Sequence, residues 1–137
     1  MTTRDVRTFK HNQQRGKDFE HRFMDFLSRN GFWVHFITPA PDGSQPFDII
    51  ACKDGIAYAF DCKTLCRKSF PLSRVEDNQR TAFQLMNKKR NYLTYFVIEV
   101  EENRVRIVPS QSVEKAIQAG MKSIVLEGFP DAYIGSE

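Results

Sequence analysis

Three residues in two short runs could do chemistry: Asp48 in Pro46-Phe47-Asp48-Ile49-Ile50, and Asp61 and Lys63 in Phe60-Asp61-Cys62-Lys63. Both runs read as strands, and Lys53-Asp54-Gly55 between them is a hairpin turn signal. Residues two apart on a strand point to one face, so Asp61 and Lys63 project together, and pairing of the strands brings Asp48 beside them. Acids inside an apolar sheet need a partner, because an unpaired buried charge is very costly. A divalent cation is one such partner. Mg²⁺ takes oxygen ligands, usually one or two carboxylates plus substrate phosphate, and Asp48, Asp61 and the Cys62 backbone carbonyl make up such a set. Lys63 cannot ligate while protonated. It can orient the attacking water or neutralise charge on a phosphate in the transition state. The chemistry that needs these parts together is metal-assisted phosphodiester hydrolysis.

A third acid, Glu20, lies in Gly16-Lys17-Asp18-Phe19-Glu20, at the border of an apolar helical stripe and within reach of a metal directly or through water. Each residue alone has a plainer reading. Asp-x-Lys in a strand is usually a surface ion pair worth little, Asp48 can end a turn, and Glu20 can be a solvated helix residue. The signal is the order: helix acid, strand-start Asp, hairpin, Asp-x-Lys. Basic residues flank these acids, Arg15 and Lys17 beside Glu20, and Arg67 and Lys68 after Lys63. Such cations offset repulsion between carboxylates and phosphate and predict contact with a nucleic-acid backbone rather than base reading. Lys88-Lys89-Arg90 either joins them or complements a helix C-terminus.

The elements that must position these residues follow from periodicity. Phe19, Phe23, Phe26 and Leu27 draw one stripe along a helix from about Gln14 to Asn30, stopped by Asn30-Gly31. Phe32 to Thr38 predicts a strand, Pro39 to Pro46 a loop, and Phe47 to Cys52 and Ile56 to Lys63 the hairpin. Ser73-Arg74-Val75-Glu76 has capping-box form and predicts a second helix to about Lys89, with Val75, Ala82, Phe83 and Met86 inward. Tyr92 to Val100 and Arg104 to Val108 predict a second hairpin, then a short helix near Ser112 to Ala119 and a strand near Ser123 to Leu126. This order predicts an α/β fold, a central mixed β-sheet flanked by helices. Residues 1–13 read as a flexible basic arm and 14–137 as one domain, since 137 residues with 41% hydrophobic content suit a single core. Trp33 and the phenylalanines are expected in that core.

A net charge of +3 does not by itself announce a nucleic-acid partner. The three cysteines lack paired Cys-x-x-Cys spacing, which argues against zinc and for reduced thiols. His11, His21 and His35 show no ligand spacing. The polar, basic Met1 to Lys10 is not a secretion signal and no apolar run approaches a membrane span, so an intracellular protein without membrane contact is expected.

The order of acids resembles the PD-(D/E)xK nuclease superfamily, the signature reading Phe47-Asp48 followed by Asp61-Cys62-Lys63. Within it the chain is most similar to archaeal-type and RecU-like Holliday junction resolvases, through Gly16-Lys17-Asp18-Phe19-Glu20, Gly31-Phe32-Trp33-Val34, Asp42-Gly43-Ser44 and Phe47-Asp48-Ile49-Ile50-Ala51. The similarity runs from about Arg15 to Val100 and departs from the pattern twice: Phe47 stands where the motif has proline, and Asp61 where resolvases more often have Glu. The resemblance implies a restriction-endonuclease-like core, Mg²⁺ or Mn²⁺, and a homodimer making paired nicks in four-way DNA junctions. By it, Glu20, Asp48 and Asp61 become metal-site acids, Lys63 the catalytic lysine, Gln79 a partner of water or phosphate, and Ser44 a phosphate contact. For Gln79 a solvated helix position, and for Ser44 ordinary loop polarity, are equal readings. Another nuclease of the superfamily (restriction-, repair- or flap-type), or a DNA-binding protein that lost catalysis, remain the alternatives.

Overall fold

The computed structural model describes residues 3–65 and 67–136, with side chains described from residue 14 onward. Helix α1 spans Thr3–Arg29. The sequence places its start near Gln14; the helical backbone runs back to Thr3, through the segment expected as an arm. Its stop is as expected: Gly31 takes φ +88° and the Phe32 N–H donates to the Leu27 carbonyl at 3.1 Å, a glycine C-terminal motif.

Strands β1 (Trp33–Phe36), β2 (Ile49–Lys53) and β3 (Ile56–Thr64) form an antiparallel meander. The β2–β3 turn holds Asp54 at φ +53° and Gly55 at φ +79°, the left-handed pair that a two-residue hairpin demands. After a short β4 (Ser69–Pro71) and a 3-10 turn at Leu72–Arg74, helix α2 covers Asp77–Lys88. It starts later than Ser73-x-x-Glu76 suggests. Val75 is extended, and the capping box is formed by Glu76 as N-cap and Gln79: the Glu76 side chain accepts the Gln79 N–H, and Gln79 accepts the Glu76 N–H at 3.1 Å.

The chain then runs through β5 (Thr94–Glu101), β6 (Arg104–Pro109), α3 (Ser110–Gln118), β7 (Ser123–Val125) and β8 (Asp131–Tyr133). The main sheet has the order β1-β2-β3-β5-β6-β8, and β4 pairs with β7 apart from it. Only β3 and β5 run parallel, because α2 carries the chain back between them; the other pairs are antiparallel. The sheet is mixed, as expected. The three-residue strands β4 and β8 were not anticipated, being too short to show a period.

Each sheet face carries its own core. Phe19, Phe23 and Leu27 of α1 pack on Ile49, Ala51, Phe60, Val97 and Val105. On the other face Phe83 of α2 and Val113 of α3 pack on Ala59, Phe96, Ile98 and Val108. Strand alternation thus sends Phe60 and Ile49 toward α1, and Asp61 and Lys63 toward α2; Asp48 stands just ahead of β2. Val75, Ala82 and Met86 are partly buried beside Phe83, as expected. Trp33 is a correction. It is 61% exposed on the edge strand β1, because it points away from α1 and no element covers β1 on that side.

Phe23 is 1% exposed and meets Phe60 edge-to-face at 5.2 Å. Phe23→Ala is expected to lower unfolding free energy in urea by about 3–5 kcal/mol, the usual cost of emptying a buried phenylalanine site. A loss under about 1 kcal/mol would show that the α1 face is not tightly packed.

Candidate active site

β2 begins at Ile49, paired to Phe60, and there the ladder opens. The chain ahead of it comes out of the Pro39–Pro46 loop; the Asp48 N–H donates to the Phe60 carbonyl at 3.2 Å, and its own carbonyl accepts the Ile37 N–H on the β1 side. The next N–H of β3 on that side, Cys62, donates instead to Asp48 Oδ2 at 2.8 Å. A carboxylate therefore replaces a backbone carbonyl in the ladder, which orients Asp48 toward β3. The N–H and C=O of one strand residue point to the same side, so the Cys62 carbonyl faces the same opening.

Asp61 is fully buried, and Lys63, two residues on, is 8% exposed. Asp61 Oδ1 accepts from Gln79 Nε2 at 3.1 Å. Gln79 is itself fixed, since its Oε1 accepts the Glu76 N–H, so the α2 cap orients the amide that holds Asp61. Lys63 Nζ lies 3.3 Å from Asp61 Oδ2, an ion-pair approach that leaves this buried oxygen without a hydrogen-bond partner. Asp48, Asp61, Lys63 and Gln79 therefore meet in one place. Gln79, for which a solvated position was an equal reading, is buried at 7% exposure.

Glu20 approaches from the α1 layer. Burial, then the charge of Asp48, push its carboxyl up to about 7, against the opposing influence of Lys17 and Lys63. Burial likewise raises Asp48, although the Cys62 N–H and Lys63 oppose it. Asp61 is raised well above the ordinary carboxylate range, first by burial and further by Asp48 opposite. Three acids in one region resist ionisation. This is the electrostatic state that a bound cation relieves. The residues fit Mg²⁺ or Mn²⁺ on these terms: Asp48 and Asp61 as carboxylates, with the Cys62 carbonyl facing the same opening. Among the described residues no group of three His, Cys, Asp or Glu is placed to hold a metal ion by itself. A cation bound here would draw its remaining ligands from water and phosphate. The Cys62 thiol is pushed well up by burial and by the neighbouring acids, which makes it a poor nucleophile.

Ser44 is exposed, and its backbone N–H and hydroxyl both donate to Asp42 Oδ1, closing a local turn. One residue with a structural part in the site gave no sequence signal. Asn78, next to Gln79, donates its amide to the Gly43 and Gln45 carbonyls on either side of Ser44 and pins the loop to α2. A lone Asn in a polar helix start has no distinguishing pattern; only the fold reveals its partners. Lys17, Arg67 and Lys68 are exposed and Arg15 is half-buried. Arg67 and Lys68 line a depression of about 540 Å³ at the C-terminal ends of β3 and β5, together with Arg106, Glu101 and Glu127. Arg15 lines a separate one with Asp18, Arg22, Glu99 and Glu102. No helix of the described residues is long and apolar enough to cross a membrane.

No protein-family model matches the sequence, and no curated protein matches it significantly. The solved structures do. The mixed sheet with its flanking helices has the fold of a solved Holliday junction resolvase, the architecture that the resemblance implied. Among the similar structures is Hjc, a Holliday junction resolvase from the archaeal hyperthermophile Archaeoglobus fulgidus, with a TM-score of 0.56 at 19% identity, covering 70% of this chain and 78% of that one.

The raised acids give a pH dependence of definite sign. A carboxyl whose folded pKa exceeds its unfolded value binds protons on folding, so its contribution to stability is lost as pH rises from near 4.5 through about 7. Metal-free protein is expected to melt lower at about pH 8 than at about pH 6, and Mg²⁺ to raise the melting temperature more at the higher pH, where it need not displace protons. Calorimetry at the two pH values checks this; an equal Mg²⁺ effect at both would detach the metal from these acids.

Proposed function

We propose that this protein is a metal-dependent endodeoxyribonuclease that nicks branched DNA, with four-way junctions as its substrate. The observation that carries the proposal is the fully buried Asp61, held by Gln79, ion-paired to Lys63 at 3.3 Å and set against the Asp48 carboxyl where β2 and β3 part. Two adjoining carboxyls inside a sheet suit a cation-binding role, and the neighbouring lysine suits an anionic substrate.

In this reading Asp48 and Asp61 hold Mg²⁺ or Mn²⁺ with the Cys62 carbonyl, and Glu20 bonds water at the same centre. The bound cation would polarise the scissile phosphate and lower the pKa of the attacking water. Lys63 orients that water and offsets charge building on the phosphate oxygens. Gln79 is a positioning residue that fixes the Asp61 carboxylate, and the helix cap limits its freedom to turn. Arg15, Lys17, Ser44, Arg67 and Lys68 contact the DNA backbone, with Ser44 presented on the loop that Asn78 anchors. Junction substrate and homodimer rest on the fold shared with Hjc and on symmetry: paired nicks across a near-twofold junction suit a twofold pair of sites. An intracellular location accords with this substrate. Residues 1–13 would act as a basic arm beside the DNA, preceding a single nuclease domain over 14–137.

The test is a nicking assay with Mg²⁺ on a synthetic four-way junction, a flap and a duplex of matched length. Paired nicks in the junction are expected, with Asp61→Asn inactive and Lys63→Ala slower by about 10²-fold or more. Equal cutting of all three substrates would refute junction selectivity, and full activity in Asp61→Asn would refute the site.

A further inference from the structure

The α2-facing side of β1–β2–β3 is ordered in cross-strand rows. Ile37, Asp48 and Asp61 form the row of the candidate site; the Ile37 N–H donates to the Asp48 carbonyl at 2.8 Å. The next row is His35, Ile50 and Ala59, and the one beyond is Trp33, Cys52 and Ala57. At about 3.3 Å per residue the Trp33 row lies roughly 13 Å from the aspartates, on the same face. That distance spans about four stacked base steps.

This outer surface is uncovered and aromatic. Trp33 is 61% exposed, His35 is exposed, and their rings lie stacked at 5.9 Å with an interplanar angle of 7°. The floor beside them is low, built from Ile50, Cys52, Ala57 and Ala59. It opens into a depression of about 510 Å³ that also touches Met86, Arg90 and Tyr92. Among the described residues Arg90 is the one charged residue lining that depression, and it follows Lys88 and Lys89 at the end of α2, all three exposed. A flat aromatic ledge, a shallow apolar floor and a cationic wall without an acid together match the chemistry of a nucleic-acid strand with its bases unpaired. The π-faces take bases, and the cations take phosphates.

We infer that Trp33 and His35 form a stacking ledge for unpaired bases of the DNA strand that runs through the site, with Arg90 on its backbone. The inference rests on the nuclease reading for its substrate and extends it. It assigns to β1 the capture of nucleotides unpaired near the cut. A branched or frayed substrate supplies such bases; an intact duplex keeps them stacked internally.

Trp33 is the only tryptophan in the chain, so its fluorescence reports on the ledge directly. The experiment titrates the non-cleaving Asp61→Asn protein with a single-stranded oligothymidylate, an abasic oligonucleotide of equal length, and a blunt duplex. Stacking predicts strong quenching by the oligothymidylate and little by the abasic strand, which has the same charge and no bases. Trp33→Ala is expected to weaken single-strand binding about five- to hundredfold, with Trp33→Phe restoring part of it. Trp33 is exposed, and melting curves of both variants confirm that they fold. Equal quenching by the abasic strand, or unchanged affinity in Trp33→Ala, would overturn the ledge. So would emission that shifts with protein concentration alone and is lost with a change of oligomeric state in Trp33→Ala, which would make the face a contact between two copies. Failure of the wild-type protein to cut any DNA would count against the nuclease reading, whereas quenching is read without cleavage.

Discussion

A fully buried carboxyl set against a second one, Asp61 against Asp48, is the constraint around which this structure is arranged. Burying a charge is tolerable only with partners, and Asp61 has Gln79 on one oxygen and an imperfectly aligned Lys63 near the other. Asp48 opposite makes ionisation harder still. Protein with no cation bound must hold protons there or bear the cost. On the proposed reading, stability is given up at this point for a site that a cation would complete.

The surrounding fold keeps that arrangement from relaxing. The sheet cannot close over it, because Asp48 occupies the ladder position where the Cys62 N–H would find a carbonyl. The α2 helix cannot drift, since its first turn reaches both ways: Gln79 to the strand, Asn78 to the loop before Asp48. Arg80 on the same helix pairs with Glu114 of α3 at 2.6 Å, tying this layer together. Beneath the sheet α1 supplies both the phenylalanine core and Glu20, so one helix anchors the domain and carries an acid to the site.

Much of this was readable in the sequence because it rests on period and turn chemistry. The Phe19–Phe23–Leu27 stripe and the Asp54-Gly55 turn each have one physical meaning, and Asp61-x-Lys63 takes its meaning from its place on the strand after that turn. The first turn of α2 was misplaced because two capping patterns overlap. Ser73-x-x-Glu76 has the right residues, but the chain caps with Glu76 and Gln79, whose amide also answers to Asp61. Asn78 was silent because its partners are backbone carbonyls some 33 to 35 residues away, which no local pattern encodes. Trp33 was assigned to the core on residue type alone, yet strand parity and the bare edge of β1 decide its exposure.

The central claim is that Asp48 and Asp61 form a divalent-cation site in the folded chain. It is tested most directly by titrating Mn²⁺ into the protein and following loss of the free-ion signal by electron paramagnetic resonance, for wild type and for Asp61→Asn. Saturable binding that Mg²⁺ displaces is expected in the wild type, and its loss in Asp61→Asn with the fold retained. Equal Mn²⁺ binding by the two proteins would contradict the claim.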